Sequence, residues 1–226
     1  SYIGVVEHSL LQRGQVYIPL FTLVSLGILG AVDDYWSILG FGKKKGGLDV
    51  LPKIIFLLLV SGFCGFWFYA RLGYDTIHMP FYGDLYINGW YIPFFMFVLI
   101  GTANAVNITD GLDGLAGGLL VIAFIAFGTL AYLEGLYILA GFCGIIVAAV
   151  SAFLWNNVPP ALFFMGDTGS LALGGTLAVI AMMIDQVLVL PIIGIIFVVE
   201  MFSVIAQLLS KKLRNGKRIL KAAPIH

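Results

Sequence analysis

Aspartate residues recur in this sequence in short polar segments that adjoin long apolar runs. Five of them are candidates for chemistry: Asp33, Asp34, Asp110, Asp113 and Asp167. The segments 107–114 and 155–170, which carry three of these acids, contain no Lys or Arg. Carboxylate oxygens with room for water suit Mg²⁺, which takes a few protein ligands and leaves its other positions to substrate phosphates. We expect a cation site if the fold brings these acids together.

Each acidic segment also has a structural interpretation. Asp33 and Asp34 could be the solvated end of an apolar helix. Segments 107–114 and 166–170 could be turns or helix caps, because Asn, Asp and Gly dominate such positions. For 166–170 alone the turn is preferred. The functional interpretation is favoured because three acid-bearing segments are expected on one face.

A further acid, Glu200, lies inside an apolar run. An intramembrane acid is a functional candidate by default. We nevertheless expect Glu200 to make a packing hydrogen bond with Ser203 or Gln207, because it lies far from the end of its run.

The composition identifies the medium that surrounds these elements. Of 226 residues, 61% are hydrophobic and 11% are charged, whereas a soluble domain is about half apolar and a quarter charged. The excess apolar surface requires lipid. A formal net charge of zero argues against a nucleic-acid partner held by bulk charge. Cys64 and Cys143 lie in apolar runs and are expected to be buried free thiols.

Seven stretches approach the roughly 20 apolar residues that span a bilayer as a helix. They are Val16–Val32, Leu51–Leu72, Ile87–Val106, Leu115–Tyr132, Leu136–Trp155, Leu171–Ile184 and Val187–Leu209. The sixth is short and nearly touches the seventh. The sequence predicts an all-α polytopic membrane protein with about seven transmembrane helices, forming a single domain over residues 1–226.

The basic residues predict the orientation of these spans. Ten of the twelve fall in segments on one side: Lys43, Lys44, Lys45, Lys53, Lys211, Lys212, Arg214, Lys217, Arg218 and Lys221. Arg13 and Arg71 fall on the other side. The positive-inside rule makes the first side cytoplasmic, and the five candidate acids lie on that side. The chain begins with Ser1 rather than Met, and we expect it to be incomplete at both ends.

Four segments together resemble a known family. Residues 104–116, NAVNITDGLDGLA, resemble the signature of the polyprenyl-phosphate N-acetylhexosamine-1-phosphate transferases. Residues 164–170 resemble their second signature, and residues 32–35 resemble their Asp-Asp motif. The tail 217–226 resembles the segment that leads into the triple-histidine motif of the phospho-N-acetylmuramoyl-pentapeptide transferase branch. The resemblance covers nearly all of the chain.

The resemblance implies a fold, a reaction and its partners. The seven spans would match spans 3–9 of a ten-span fold. The protein would transfer phospho-N-acetylmuramoyl-pentapeptide from UDP to undecaprenyl phosphate, with Mg²⁺ as cofactor, releasing UMP and forming the first lipid-linked peptidoglycan precursor. It would lie in the bacterial inner membrane with its active site on the cytoplasmic face. The same resemblance implies that the protein could form a homodimer.

The resemblance also implies roles by matching position. Asp167 would bind the Mg²⁺, and Asp33 and Asp34 would act on the lipid phosphate and metal, with Asp33 favoured as the base. His226 would be the first of three histidines near the phosphates. The remaining matches concern the UDP-sugar donor: Asn107, Asp110 and Asp113 would line its site, Asn157 would add a polar contact, and Phe164 would stack on uracil.

Some features depart from the family pattern. Ser37 stands where the family usually has a lysine, so either Lys43–Lys45 supply that charge or it is dispensable. The first two spans, the tenth span and two of the three histidines are absent, so we expect residues 1–226 alone to bind nucleotide poorly and not to turn over.

Two alternative functions remain open from the sequence. A UDP-N-acetylglucosamine:polyprenyl-phosphate transferase would use the same chemistry on another donor. A secondary transporter would use intramembrane acids for ion coupling, although transporters place such acids near the bilayer midplane, whereas here they gather at one surface.

Overall fold

The structure, a computed structural model, describes residues 2–40, 47–79, 83–213 and 223–225, with the backbone only for residues 2–15. This part of the chain is mostly helical, with one short hairpin. The helices are α1 (Tyr2–Ile38), α2 (Val50–Leu72), α3 (Tyr91–Thr109), α4 (Leu115–Leu133), α5 (Tyr137–Asn157), α6 (Gly166–Met183), α7 (Leu190–Ile193) and α8 (Ile195–Leu213). The strands are β1 (Thr76–Met79) and β2 (Gly83–Tyr86), and single 3₁₀ turns occupy Asn88–Trp90 and Val187–Val189.

Six of these helices are long and apolar enough to cross a membrane, and a bent helix pair makes up to seven spans in the described residues. The all-α polytopic fold class is therefore confirmed. Two helices run further than the apolar runs that predicted them: α1 continues past Val32 to Ile38, and α6 begins at Gly166 rather than Leu171. Hydropathy ends a span at its first polar or charged residues, whereas the backbone hydrogen bonds of a helix continue through them.

Helix α6 is the centre of the bundle. Residues 174–183 of α6 are buried along the whole segment, whereas the outer faces of α2 and α5 expose Leu59, Phe66 and Ile145. Gly174 allows a close approach of α3, because a Cβ at this position would lie 2.9 Å from the Cα of Ala103. A helix that is apolar on all faces belongs inside a bundle, and exposed apolar faces suit lipid.

The last predicted span is not one continuous helix. The segments 187–193 and 195–213 meet at an angle of 82°, so the prediction of a single helix over Val187–Leu209 is wrong. Composition alone could not reveal the bend, because both segments are apolar. The break falls at Gly194, a residue that favours helix ends over helix interiors.

The hairpin lies at the end of the bundle where α6 finishes. Strands β1 and β2 are antiparallel, with His78 opposite Asp84. The His78 backbone N–H donates to the Asp185 carboxylate over 3.3 Å, and the Tyr74 hydroxyl donates to the carbonyl of Met183 over 3.1 Å. These bonds tie the hairpin to the C-terminal end of α6. The sequence predicted no strand here, because four-residue strands are too short to show a clear alternation.

Candidate active site

Three carboxylates from two helices meet at the opposite end of α6. Asp33 and Asp34 lie in the last part of α1, and Asp167 lies in the first turn of α6. One oxygen from each of the three lies within 4.8 Å of the others. Asp33 is buried, and the other two side chains are partly buried. Hard oxygen ligands grouped in this way can hold a metal ion.

Glycine allows the two helices to approach closely enough for this meeting. A Cβ at Gly30 of α1 would overlap the backbone carbonyl of Asp167 and the amide nitrogen of Thr168. Gly166 has a φ of 64°, and a Cβ there would lie 2.7 Å from the Asp34 carboxylate. A left-handed φ strains any residue with a side chain. Both positions therefore require glycine for this geometry.

Asp34 caps the N-terminus of α6 from the neighbouring helix. Its carboxylate accepts hydrogen bonds from the backbone N–H groups of Asp167 (3.2 Å) and Thr168 (3.0 Å), and from the Thr168 hydroxyl (2.6 Å). The first N–H groups of a helix have no partner within it and favour a negative charge. Asp34 thus fixes the backbone that carries Asp167.

Lys53, in the first part of α2, places a cation among the acids. Its ammonium donates to the Asp167 carboxylate and lies 3.5 Å from Oδ2 of Asp33. Asp33 also accepts a hydrogen bond of 2.8 Å from the backbone N–H of Leu48. Lys53 and Asp167 are about one-fifth exposed, so this contact is only partly screened by water.

Sequence reasoning missed Lys53 as a site residue and treated it only as a topological charge. Its single distinguishing feature in the sequence is a position inside the apolar run, on the side of the acids. For the lysine that Ser37 replaces, the sequence left two alternatives, a charge from Lys43–Lys45 or a dispensable lysine; Lys43–Lys45 lie outside the described residues. The described residues place one cation, the ammonium of Lys53, beside Asp33 and Asp167.

Asn107 joins the acid cluster from α3. Its amide donates to Oδ1 of Asp167 over 2.5 Å and to the hydroxyl of Ser170 over 2.9 Å. The Ser170 hydroxyl in turn donates to the carbonyl of Gly166 over 2.7 Å. These bonds orient the Asp167 carboxylate. The role predicted for Asn107 in donor binding stays a prediction.

The turn after α3 and the loop before α6 form a surface beside the cluster. The Asp113 carboxylate accepts from the backbone N–H of Ala161 over 3.3 Å. Burial, together with the nearby Asp167 and Asp34 charges, raises the pKa of Asp110 to about 6, against a hydrogen bond from the Gly166 backbone that lowers it. The hydrogen bond between Asp110 and the Gly166 backbone places this turn against the start of α6.

The two other residues predicted to contact the UDP-sugar, Asn157 and Phe164, differ in how exposed their side chains are. Asn157 is only 3% exposed; its side chain accepts from the N–H of Gly114 (2.9 Å) and donates to the carbonyl of Phe163 (3.0 Å). It therefore holds the two loops together. Phe164 is 72% exposed, as a side chain free to stack on a ligand must be. Their substrate roles stay predictions, and His226 lies outside the described residues.

These observations define a multi-span membrane protein that gathers three carboxylates and one lysine at one end of its helical bundle. The chain belongs to glycosyl transferase family 4, whose sequence model matches residues 16–185.

Curated relatives agree with the resemblance seen in the motifs. The phospho-N-acetylmuramoyl-pentapeptide-transferase of Clostridium perfringens strain 13 is 46% identical over 213 residues, covering 94% of this chain and 66% of that protein. The proteins of the same name from Chloroflexus aurantiacus and Pelagibacter ubique are each 41% identical, over 96% and 100% of this chain and 63% and 67% of their own lengths. The chain thus spans about two thirds of the length of these relatives.

Proposed function

We propose that the full-length protein transfers phospho-N-acetylmuramoyl-pentapeptide from its UDP carrier to undecaprenyl phosphate, releasing UMP. The observation that carries this proposal is the meeting of Asp33, Asp34 and Asp167 beside Lys53 at one end of the bundle. The names of the curated relatives supply the transferred group, phospho-N-acetylmuramoyl-pentapeptide, and the motif resemblance supplies the UDP carrier and the lipid acceptor. Such a cluster suits a reaction between two phosphate-bearing substrates at a membrane surface.

The residues at this end fit Mg²⁺. Oxygen ligands from two or three carboxylates, with partial exposure for water and phosphate, match its preference. Asp167 would be the principal ligand, with Asp33 and Asp34 beside it. Among the described residues, three carboxyl groups lie beside the single ammonium of Lys53, so a divalent ion would help to balance their charge. When bound, Mg²⁺ would stabilise the negative charge that develops on the departing UMP.

A cavity next to the cluster supports the placement of the lipid acceptor. It has a volume of about 540 Å³ and lies between α2 and α3. Asp33 and Lys53 line its polar part, while Ile54, Leu57 and Leu58 line its apolar part. A polyprenyl phosphate has the same division, with an anionic head and a hydrocarbon tail. We place the acceptor phosphate at Lys53, with its tail leaving towards lipid.

The chemistry then depends mainly on charge and position. Two anions must approach each other, and the Lys53 ammonium would reduce the repulsion between them. The acceptor oxygen attacks the β-phosphate of the donor, and the bond to UMP breaks. Asp33 would accept the last proton of the lipid phosphate; a phosphate monoester with a second pKa near 6 is already mostly ionised, so this step contributes little.

The proposed location follows from the basic residues and from the acceptor. The sequence predicts an excess of Lys and Arg on the acid-bearing side, which supports a cytoplasmic position for that side, in the inner membrane of a bacterium. The homodimer expected from the resemblance is tested by the mass of the purified protein in detergent, measured by light scattering.

The test of the function uses the full-length protein in detergent with Mg²⁺ and undecaprenyl phosphate. UDP-muramoyl-pentapeptide and UDP-N-acetylglucosamine are supplied in separate reactions, and UMP release is followed. We expect UMP from the muramoyl donor alone. UMP from the N-acetylglucosamine donor alone would contradict the assigned substrate, and no UMP from either in folded protein would contradict the transferase.

A further inference from the structure

The buried face of α8 is polar, although the helix belongs to an apolar span. Four polar side chains at helical spacing are buried there: Glu200, Ser203, Gln207 and Ser210. The opposite face exposes large apolar residues such as Phe202 and Leu208. Polar groups inside a membrane bundle are retained where they have a partner or a function. The arrangement indicates that this face of α8 binds something polar.

One polar partner of this face lies among the described residues, the backbone N–H of Ile225, which bonds to Glu200. Oε2 of Glu200 accepts a hydrogen bond of 2.6 Å from the backbone N–H of Ile225, which lies 25 residues further along the chain. Glu200 is 5% exposed, so the bond is shielded from water. A hydrogen bond to a carboxylate is shorter and stronger than one between neutral groups.

Ile225 is a partner of Glu200 that the sequence did not suggest. Ser203 also contacts Glu200: its hydroxyl donates to the backbone carbonyl of Glu200 over 2.7 Å. A bond within one helix would stabilise that helix only. The bond to Ile225 instead joins α8 to a segment distant in sequence.

The tail segment has little other anchorage among the described residues. The Ile225 side chain is 54% exposed, and Ala223 and Pro224 are only partly buried. Pro224 has no backbone N–H to donate. The hydrogen bond from Ile225 to the Glu200 carboxylate thus joins residues 223–225 to α8.

We propose that Glu200 is a positioning residue that holds the segment 223–225 against α8 and so restrains the histidine that follows it, His226. The inference rests on the proposed function, because the resemblance gives His226 a place near the phosphates. Consecutive Cα atoms are about 3.8 Å apart, so a fixed Ile225 limits where His226 can lie. Glu200 would therefore affect turnover without touching substrate.

A measurement of tail mobility tests the anchor independently of activity. A nitroxide spin label is attached to an Ile225→Cys variant of the full-length protein; Cys64 and Cys143 are buried, and the protein without the new cysteine measures background labelling. Glu200→Met has nearly the same side-chain length but no acceptor, whereas Glu200→Gln keeps an acceptor oxygen. We expect a mobile label with Met and a restrained one with Gln. A restrained label with Met would overturn the proposal.

If the Met variant does not fold, deuterium exchange at the Ile225 amide of the unaltered protein decides the same question. Slow exchange supports the bond to Glu200, and exchange at the rate of an unprotected amide overturns it. Ser203→Ala is the matched control for the spin-label measurement, because it alters the same buried face without altering the carboxylate. A nitroxide at Ile225→Cys should remain restrained in the Ser203→Ala protein.

Kinetics separate positioning from a general structural role. We expect Glu200→Met to lower kcat by about tenfold to a hundredfold, with little further loss when it is combined with His226→Ala. Losses that multiply in the double variant would overturn a role through His226. If the unaltered protein releases no UMP, the proposed function fails, while the mobility result still tests the anchor.

Discussion

Replacement of Gly30 by alanine tests the geometry that brings the acids together. Gly30 of α1 faces the first turn of α6, and an added Cβ would overlap the backbone of Asp167 and Thr168. Because the overlapping atoms belong to the backbone, no side-chain rotation relieves the contact. The two helices must separate, which moves Asp33 and Asp34 away from Asp167.

Gly27 offers a matched control one turn earlier on the same helix. A Cβ there would lie 3.8 Å from the Cβ of Ala172, an ordinary contact. Alanine in place of glycine inside a helix stabilises it by about 1 kcal/mol, and overpacking costs about 1–3 kcal/mol. We therefore expect Gly30→Ala to be less stable than Gly27→Ala by roughly 1–3 kcal/mol.

The effect on activity should be larger than the effect on stability. A displacement on the order of 1 Å at reacting groups costs about a hundredfold in rate. We expect Gly30→Ala to lose about that factor in UMP release, while Gly27→Ala keeps the original rate. Thermal unfolding in detergent shows whether both variants are folded. Equal rates for the two folded variants would refute the close approach of α1 and α6.

Four further predictions concern single side chains. Asp167→Asn should lower Mg²⁺-dependent UMP release by about 10²–10³-fold in folded protein, and retention of more than about a tenth of the rate would exclude it as the metal ligand. Lys53→Met should cause a similar loss of about 10²–10³-fold, whereas the exposed Lys211→Met should not; equal rates for the two lysine variants would contradict the role of Lys53. Asn157→Ala leaves buried loop groups unpaired, so thermal unfolding should show a loss of about 1–3 kcal/mol, and unchanged stability would contradict its role in joining the loops. Burial raises the pKa of Asp185, and the nearby Asp84 adds to the effect, while a hydrogen bond and a charge from His78 oppose it. The folded state therefore holds the Asp185 proton more tightly than the unfolded state. As a result, the stability of the fold decreases as the pH rises through the folded-state pKa. Asp185→Asn should therefore be more stable than the unaltered protein at pH 7, with an advantage that shrinks on acidification towards pH 4, and a pH-independent difference in unfolding temperature would contradict this.

The spans could be predicted because lipid imposes a simple requirement on the sequence. A run of about 20 apolar residues is both necessary and visible, so the second to fifth predicted spans agree with helices to within a few residues, whereas the first ends six residues too early. The meeting of the acid-bearing segments could be predicted by assigning successive connections to alternate sides of the membrane. Because the spans alternate in direction, every second connection lies at the same end of the bundle, whatever the packing.

The remaining features depend on packing that hydropathy does not record. Gly30 is one of 28 glycines, and only the backbone of α6 lying against it distinguishes it. Lys53 resembles any basic residue near a membrane surface until Asp167 is placed beside it. The bend at Gly194 interrupts a run that is apolar on both sides. In each case a partner distant in sequence, or a bend without a change in polarity, decides the structure.

Asp33, Asp34 and Asp167 are proposed to form one site for a divalent cation. Mn²⁺ reports on such a site directly, because its EPR signal distinguishes bound from free ion. We expect a titration of the full-length protein with Mn²⁺ to show one ion that Mg²⁺ displaces, and we expect Asp167→Asn to lose it while remaining folded. Unchanged Mn²⁺ binding in the folded Asp167→Asn protein would contradict a cation site at these carboxylates.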